Sequence, residues 1–197
     1  MRIIIASGNK GKIKEVRNIF SNSTFEIISL EEIGYNEEIE ENGNSFEENA
    51  FIKADTIYNK YKLPVIADDS GLSVEQLNGN PGVYSARYAG ENATYDDNNK
   101  KLISELENLP KPHLAKFNCY AVYVDDKNRI AVSGELPGEI ISEYKGSNGF
   151  GYDPIFKVDG YIETLAEMSL EDKNKISHRA KAFEQLKEKL ENITSQQ

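Results

Sequence analysis

A short apolar run, Ile3 to Ala6, leads into Ser7-Gly8-Asn9-Lys10-Gly11-Lys12. After that loop Ile13, Val16, Ile19 and Phe20 recur at helical spacing. This predicts a buried strand, a glycine loop and a helix. A second helix follows Ser45, with Phe46, Ala50, Ala54, Ile57 and Tyr61 on one face. Pro64 opens a buried strand whose Val65-Ile66-Ala67 delivers Asp68 and Asp69 to the rim of a sheet, and Ser70-Gly71 predicts a turn there. Residues 78–92, rich in Gly, Asn, Pro and Tyr, read as an ordered loop. Thr94 with Asp97 caps a third helix that carries Leu102, Leu106 and Leu109 and stops at Pro110.

Phe117 to Val124 and Arg129 to Ser133 form a predicted hairpin across Asp125-Asp126-Lys127-Asn128, and Glu139 to Tyr144 adds a strand. A second glycine-rich loop spans Gly146 to Pro154. Ser169 with Asp172 caps a final helical segment whose Ile176, Ala180, Phe183, Leu186 and Leu190 face the core, so His178 and Arg179 point elsewhere. The pattern predicts an α/β chain with an antiparallel middle part. Residues 1–197 are expected to form a single domain, with two lobes around one cleft.

Composition narrows the possible partners. A hydrophobic fraction of 39% suffices for a core, and the net charge of −10 opposes non-specific binding to nucleic acid. The glutamates between Glu31 and Glu48 read mostly as a solvated face. Cys119 is the only cysteine, which excludes an intrachain disulfide and a cysteine-cluster zinc site; its apolar surroundings suit a small core residue. The apolar run after Met1 is too short for a secretion signal, and no window is long enough for a membrane span. The expected location is cytoplasmic, with no membrane partner.

Four segments carry candidate chemistry. Adjacent carboxylates at Asp68 and Asp69 resist ionising together unless a cation sits between or beside them, although an Asp-rich turn is the plainer alternative. Gly8 and Gly11 allow close backbone approach, and Lys10 and Lys12 at a helix start point to phosphate or to a surface loop. Phe150 and Tyr152, flanking Gly151 beside Asp153, suit base stacking and acceptance from a ring N–H; a tight turn with one aromatic in the core is the rival. His178 and Arg179 offer donors for an exocyclic oxygen, or are surface charges.

Taken together the chain resembles the inosine triphosphate pyrophosphatase family. The resemblance rests on Ser7 to Lys12, Glu40-Glu41-Asn42-Gly43, Phe46 to Ala50 with Lys53, Ala67 to Leu72, Pro81 to Tyr88, Gly149 to Pro154 and Lys173 to Arg179, in that order. Ser7 stands where threonine is common in the family and keeps the hydroxyl. The resemblance implies a two-lobed α/β fold with an elongated mixed sheet flanked by helices and an active site in the cleft between lobes. It implies Mg²⁺-dependent hydrolysis of inosine, deoxyinosine and xanthosine triphosphates to monophosphate and pyrophosphate, by a homodimer. Glu40 and Asp69 would hold the metal with Asp68 adjacent, and Asp69 would also accept the proton of the attacking water. Ser7, Gly8, Asn9, Lys10, Gly11, Lys12, Lys53 and Lys173 would meet the triphosphate, and Ser70 would touch substrate. Phe150, Gly151, Tyr152, Asp153, His178 and Arg179 would hold the base.

Overall fold

A computed structural model describes residues 1–195. Its six strands form one mixed sheet flanked by helices. They are β1 (Arg2–Ile5), β2 (Glu26–Ser29), β3 (Val65–Val74), β4 (His113–Val124), β5 (Arg129–Ile140) and β6 (Phe156–Val158). The hydrogen-bonded order is β2-β1-β3-β4-β5-β6. β1 pairs in parallel with both β2 and β3, whereas β5 and β6 are antiparallel. The helices are α1 (Lys10–Phe20), α2 (Phe46–Tyr61), α3 (Tyr95–Leu106), α4 (Leu170–Ile176) and α5 (His178–Ser195).

The chain divides into two compact units. The first comprises Met1–Asp69, Cys119–Gly134 and the chain from His178 onward; the second comprises Ser70–Asn118 and Glu135–Ser177. In the first unit β1 is apolar from Ile3 to Ile5, where both of its faces are covered. Ile3 and Ile5 join Val16, Phe20, Phe183 and Leu186 of α1 and α5 in one core layer. Ile4 and Ala6 join Ala50, Ala54 and Ile57 of α2 in another. In the second unit Leu72, Val74, Phe117, Leu136 and Phe156 pack with Leu102 and Leu106 of α3.

Both predicted caps form, at Thr94 and Ser169, and Asn9 and Ser45 cap α1 and α2 as well. The Asn9 carboxamide oxygen accepts the N–H groups of Gly11 and Lys12, and the Ser45 hydroxyl accepts that of Glu48. Thr94 and Asp97 make a reciprocal capping box.

Four expectations differ from the observed elements. β3 does not turn at Ser70-Gly71 but runs on to Val74, because Leu72 and Val74 have a second core to enter. β5 extends through Ile140, so the strand predicted over Glu139–Tyr144 is its continuation and ends early. α3 ends at Leu106, with Leu109 reaching back to the Leu106 carbonyl. The final segment is two helices, since Ser177 adopts an extended conformation between α4 and α5. β2, only four residues long, escapes the pattern altogether.

Candidate active site

In the first unit the two aspartates of β3 face opposite ways, as consecutive strand residues must. Asp68 lies on the face covered by α1 and α5. Its Oδ2 accepts from Lys12 Nζ at 3.0 Å and Arg179 Nε at 3.3 Å, with the Cys119 thiol at 3.9 Å. Asp69 lies on the α2 face. Its Oδ1 accepts from Lys53 Nζ at 3.3 Å and its Oδ2 from the Asn49 carboxamide at 3.2 Å. The adjacent carboxylates thus meet cations on opposite faces, Lys12 and Arg179 at Asp68 and Lys53 at Asp69.

Arg179 is buried and donates through Nη1 to Glu15 at 2.5 Å as well as to Asp68. Burial works against its charge, but Glu15 and Asp68 outweigh that and hold its pKa above the ordinary arginine value. His178 is buried beside it at the start of α5. Neither is the surface charge or the outward-pointing residue that a single uninterrupted helix would give. The break at Ser177 turns α5 so that His178, Arg179, Ala180, Ala182 and Phe183 are all buried.

Lys53 is 7% exposed and bridges Asp69 and Glu41, the latter at 2.9 Å. Burial opposes its charge too, yet the Asp69 and Glu41 carboxylates hold its pKa above the ordinary value. Burial pushes the Asp69 carboxyl above the ordinary aspartate range, against the lowering pull of Lys53 and Lys12. A buried carboxyl of this kind holds a proton more readily than an exposed one.

Ser7 and Asn9 shape the start of α1, with the Asn9 N–H on the Ser7 hydroxyl at 3.2 Å. Lys10, Gly11 and Lys12 form the first turn of the helix and not a loop before it. Two of the N–H groups available to an anion there are taken by Asn9, and the Lys12 ammonium is on Asp68. Gly8 and Lys10 are exposed, and Ser70 is half-buried.

Glu40 is exposed on the segment before α2. Among the described residues no group of three or more His, Cys, Asp or Glu is arranged to hold a metal. Asp69 and Glu41, the two carboxylates that meet Lys53, offer oxygen ligands, which suits a hard cation. Mg²⁺ needs only one or two carboxylates when phosphates and water complete its shell. A cation would also relieve the burial that disfavours ionised Asp69. The residues fit such an ion.

In the second unit the loop after β5 closes on Asp153. Its Oδ2 accepts the Phe150 N–H at 2.9 Å and Lys173 Nζ at 2.7 Å. Gly149 has a φ of +76°, and a Cβ there would run into the Asp153 carboxylate, so this turn requires glycine. Lys173 lies over the Phe150 ring at 4.8 Å. The Asn99 carboxamide holds the Gly151 carbonyl at 3.1 Å. Tyr152 is buried, with its hydroxyl on the Ser85 carbonyl at 2.9 Å. Of the two aromatics, Phe150 is the half-buried one and Tyr152 belongs to the core.

Sequence reasoning missed Glu15, Asn49 and Asn99 as parts of this machinery. Each is a polar residue on the buried side of an otherwise apolar helix face, and that pattern is the signal that could have found them. Truncating Glu15 tests the buried network directly. Glu15→Ala leaves Arg179 short of a counter-charge and is expected to cost about 3–5 kcal/mol in urea unfolding. A loss below about 1 kcal/mol, typical of exposed pairs, would show that Asp68 satisfies the guanidinium alone.

Known proteins resemble this chain over most of its length. The model of the Ham1 family matches residues 3–189. A dITP/XTP pyrophosphatase of Caldanaerobacter subterraneus subsp. tengcongensis is 50% identical over 190 residues, 95% of each chain. One from Bacillus subtilis is 47% identical over 190 residues, 95% of this chain and 96% of the relative. The solved Ham1 protein of Staphylococcus aureus superposes with a TM-score of 0.86 at 42% identity, covering 98% of this chain and 99% of that one. The HAM1 protein of Coxiella burnetii gives 0.88 at 39% over the same shares. With most of its length matched by the family model and by full-length relatives, the chain belongs to the Ham1 family.

Proposed function

We propose that this protein hydrolyses non-standard purine nucleoside triphosphates, those of inosine, deoxyinosine and xanthosine, to the monophosphate and pyrophosphate. The observation that carries the reading is Asp69, a buried carboxyl held between Lys53 and Asn49 and raised in pKa by its burial. Such a group takes a proton more readily than an ordinary aspartate, which suits the acceptor of a proton from water. The relatives named as dITP/XTP pyrophosphatases support the substrate class.

In this reading water adds at the α phosphorus, its bond to the α–β bridging oxygen breaks, pyrophosphate leaves, and Asp69 takes the proton from the water. Glu40 and Asp69, with Asp68 behind, would hold Mg²⁺, which supplies charge to the pyrophosphate leaving group. Lys53 keeps Asp69 oriented and faces the developing phosphate charge. Ser7, Gly8, Asn9, Lys10, Gly11 and Lys12 meet the phosphates at the start of α1, and Ser70 touches substrate. In the second unit Phe150 offers the half-buried ring for the base, beside Lys173, while Asp153 holds the Phe150 N–H, Asn99 the Gly151 carbonyl and Ser85 the Tyr152 hydroxyl. His178 and Arg179 serve as the donors for a 6-oxo group. Arg179 is oriented in advance by Glu15 and Asp68, so little order is lost when a ligand binds. An adenine amino group would set a donor against those donors, which disfavours adenosine triphosphate.

Two further properties belong to the same proposal. No described helix is long and apolar enough to cross a membrane. A cytoplasmic location with no membrane or nucleic-acid partner is part of the proposal. We also propose a homodimer, using the 81–88 segment where Tyr84 is 57% exposed against Arg87. Sedimentation velocity is expected to give twice the chain mass, and Tyr84→Arg is expected to shift it toward the monomer; a monomeric parent would refute the dimer.

The activity is tested by identifying products from inosine, xanthosine, guanosine, adenosine and thymidine triphosphates, with Mg²⁺ and with chelator. Pyrophosphate release from the first two is expected to exceed that from adenosine triphosphate by at least about 100-fold, as readout of the 6-oxo group allows; guanine has the same 6-oxo acceptor, so any preference over guanosine triphosphate must come from the 2-position. Release is expected to vanish with chelator and in Asp69→Asn. Turnover favouring thymidine triphosphate, or none at all by folded protein, would overturn the reading.

A further inference from the structure

Asn49 is 1% exposed on α2, one helical turn before Lys53 and on the same face. Its carboxamide is divided between two partners. Oδ1 accepts the Gly43 N–H at 2.8 Å, and Nδ2 donates to Asp69 Oδ2 at 3.2 Å. Gly43 follows Glu40 and Glu41 on the same segment, and Glu41 meets Lys53 at 2.9 Å while Lys53 meets Asp69 at 3.3 Å. The contacts therefore close a ring: Gly43, Asn49, Asp69, Lys53, Glu41 and back along the chain to Gly43. The segment that carries Glu40 is tied to the carboxylate of β3 through two residues of one helix.

Only a carboxamide of this length fits the place. The Gly43 N–H needs an acceptor, and an ionised Asp69 needs a donor. Aspartate would set a second carboxylate against Asp69, and an apolar residue would leave both partners unmet. Gly43 is constrained as well. A Cβ there would stand 2.7 Å from Asn49 Oδ1 and 2.8 Å from Glu48 Cβ, so the segment can lie this close to α2 only as glycine.

We infer that Asn49 is a positioning residue for the reaction, fixing the orientation of the Asp69 carboxylate and the placement of the Glu40–Gly43 segment beside it. The inference rests on the proposed hydrolysis with Asp69 at its centre. In the proposed reaction the phosphates and the base are met by other residues, so losing Asn49 alters the chemical step and not the recognition of the nucleotide.

The test is steady-state pyrophosphate release from inosine triphosphate by the full chain, with folding of each variant followed by circular dichroism. Asn49→Ala is expected to lower kcat about 30- to 100-fold with KM within about threefold, the signature of an interaction used in the transition state. Gly43→Ala, which pushes on the same amide without removing it, is expected to lower kcat about tenfold in the same manner. Should Asn49→Ala fail to fold, Gly43→Ala decides. Folded variants that keep kcat within about threefold, or that lose activity through KM alone, overturn the positioning role. A parent that releases no pyrophosphate overturns the hydrolysis and this inference together, whereas an active parent with unimpaired variants overturns the inference alone.

Discussion

Two consecutive carboxylates buried within a strand are the constraint that organises the first unit. Asp68 is 1% exposed and Asp69 7%, and an unpaired buried carboxylate is costly. The pleat sends them to opposite faces, so each face must bring its own cations. On one face Lys12 and Arg179 converge on Asp68, with Glu15 balancing the guanidinium. On the other Lys53 and Asn49 hold Asp69, with Glu41 balancing the ammonium. The first turn of α1, the first turn of α5 and the middle of α2 are anchored by these contacts as well as by their apolar stripes.

The two faces differ in what they leave available. Asp68 has a fully buried side chain and faces two cations, an arrangement that fixes helices to a strand. Asp69 has one ammonium and one neutral amide, and its pKa lies above the ordinary range, so its ionised form is held less firmly. A group held less firmly than its surroundings allow suits chemistry more than stability. The proposed division of labour follows: Asp68 positions, and Asp69 reacts.

Much of this was legible in the sequence. Helical spacing at Val16, Ile19 and Phe20, the caps at Thr94 and Ser169, and the hairpin across Asp125–Asn128 all form as periodicity and turn chemistry require. What was not legible depended on tertiary partners. Nothing local announces that β3 continues past Gly71, because Leu72 and Val74 are buried by α3 and strands distant in sequence. The break at Ser177 was hidden by an apolar spacing that spans both α4 and α5, and with it the burial of His178 and Arg179. Asn49 and Glu15 looked like ordinary polar positions among charged neighbours; only the strand beneath them gives them a task.

The most direct test of this division is the unfolding free energy of Asp68→Asn beside Asp69→Asn, measured in urea at neutral pH. Asp68→Asn is expected to lose about 3–5 kcal/mol, since it leaves buried Arg179 and Lys12 under-compensated. Asp69→Asn is expected to lose clearly less, because the carboxylate removed is disfavoured by burial and Glu41 still faces Lys53. Equal losses at both positions, or a loss at Asp69 alone, would contradict the account.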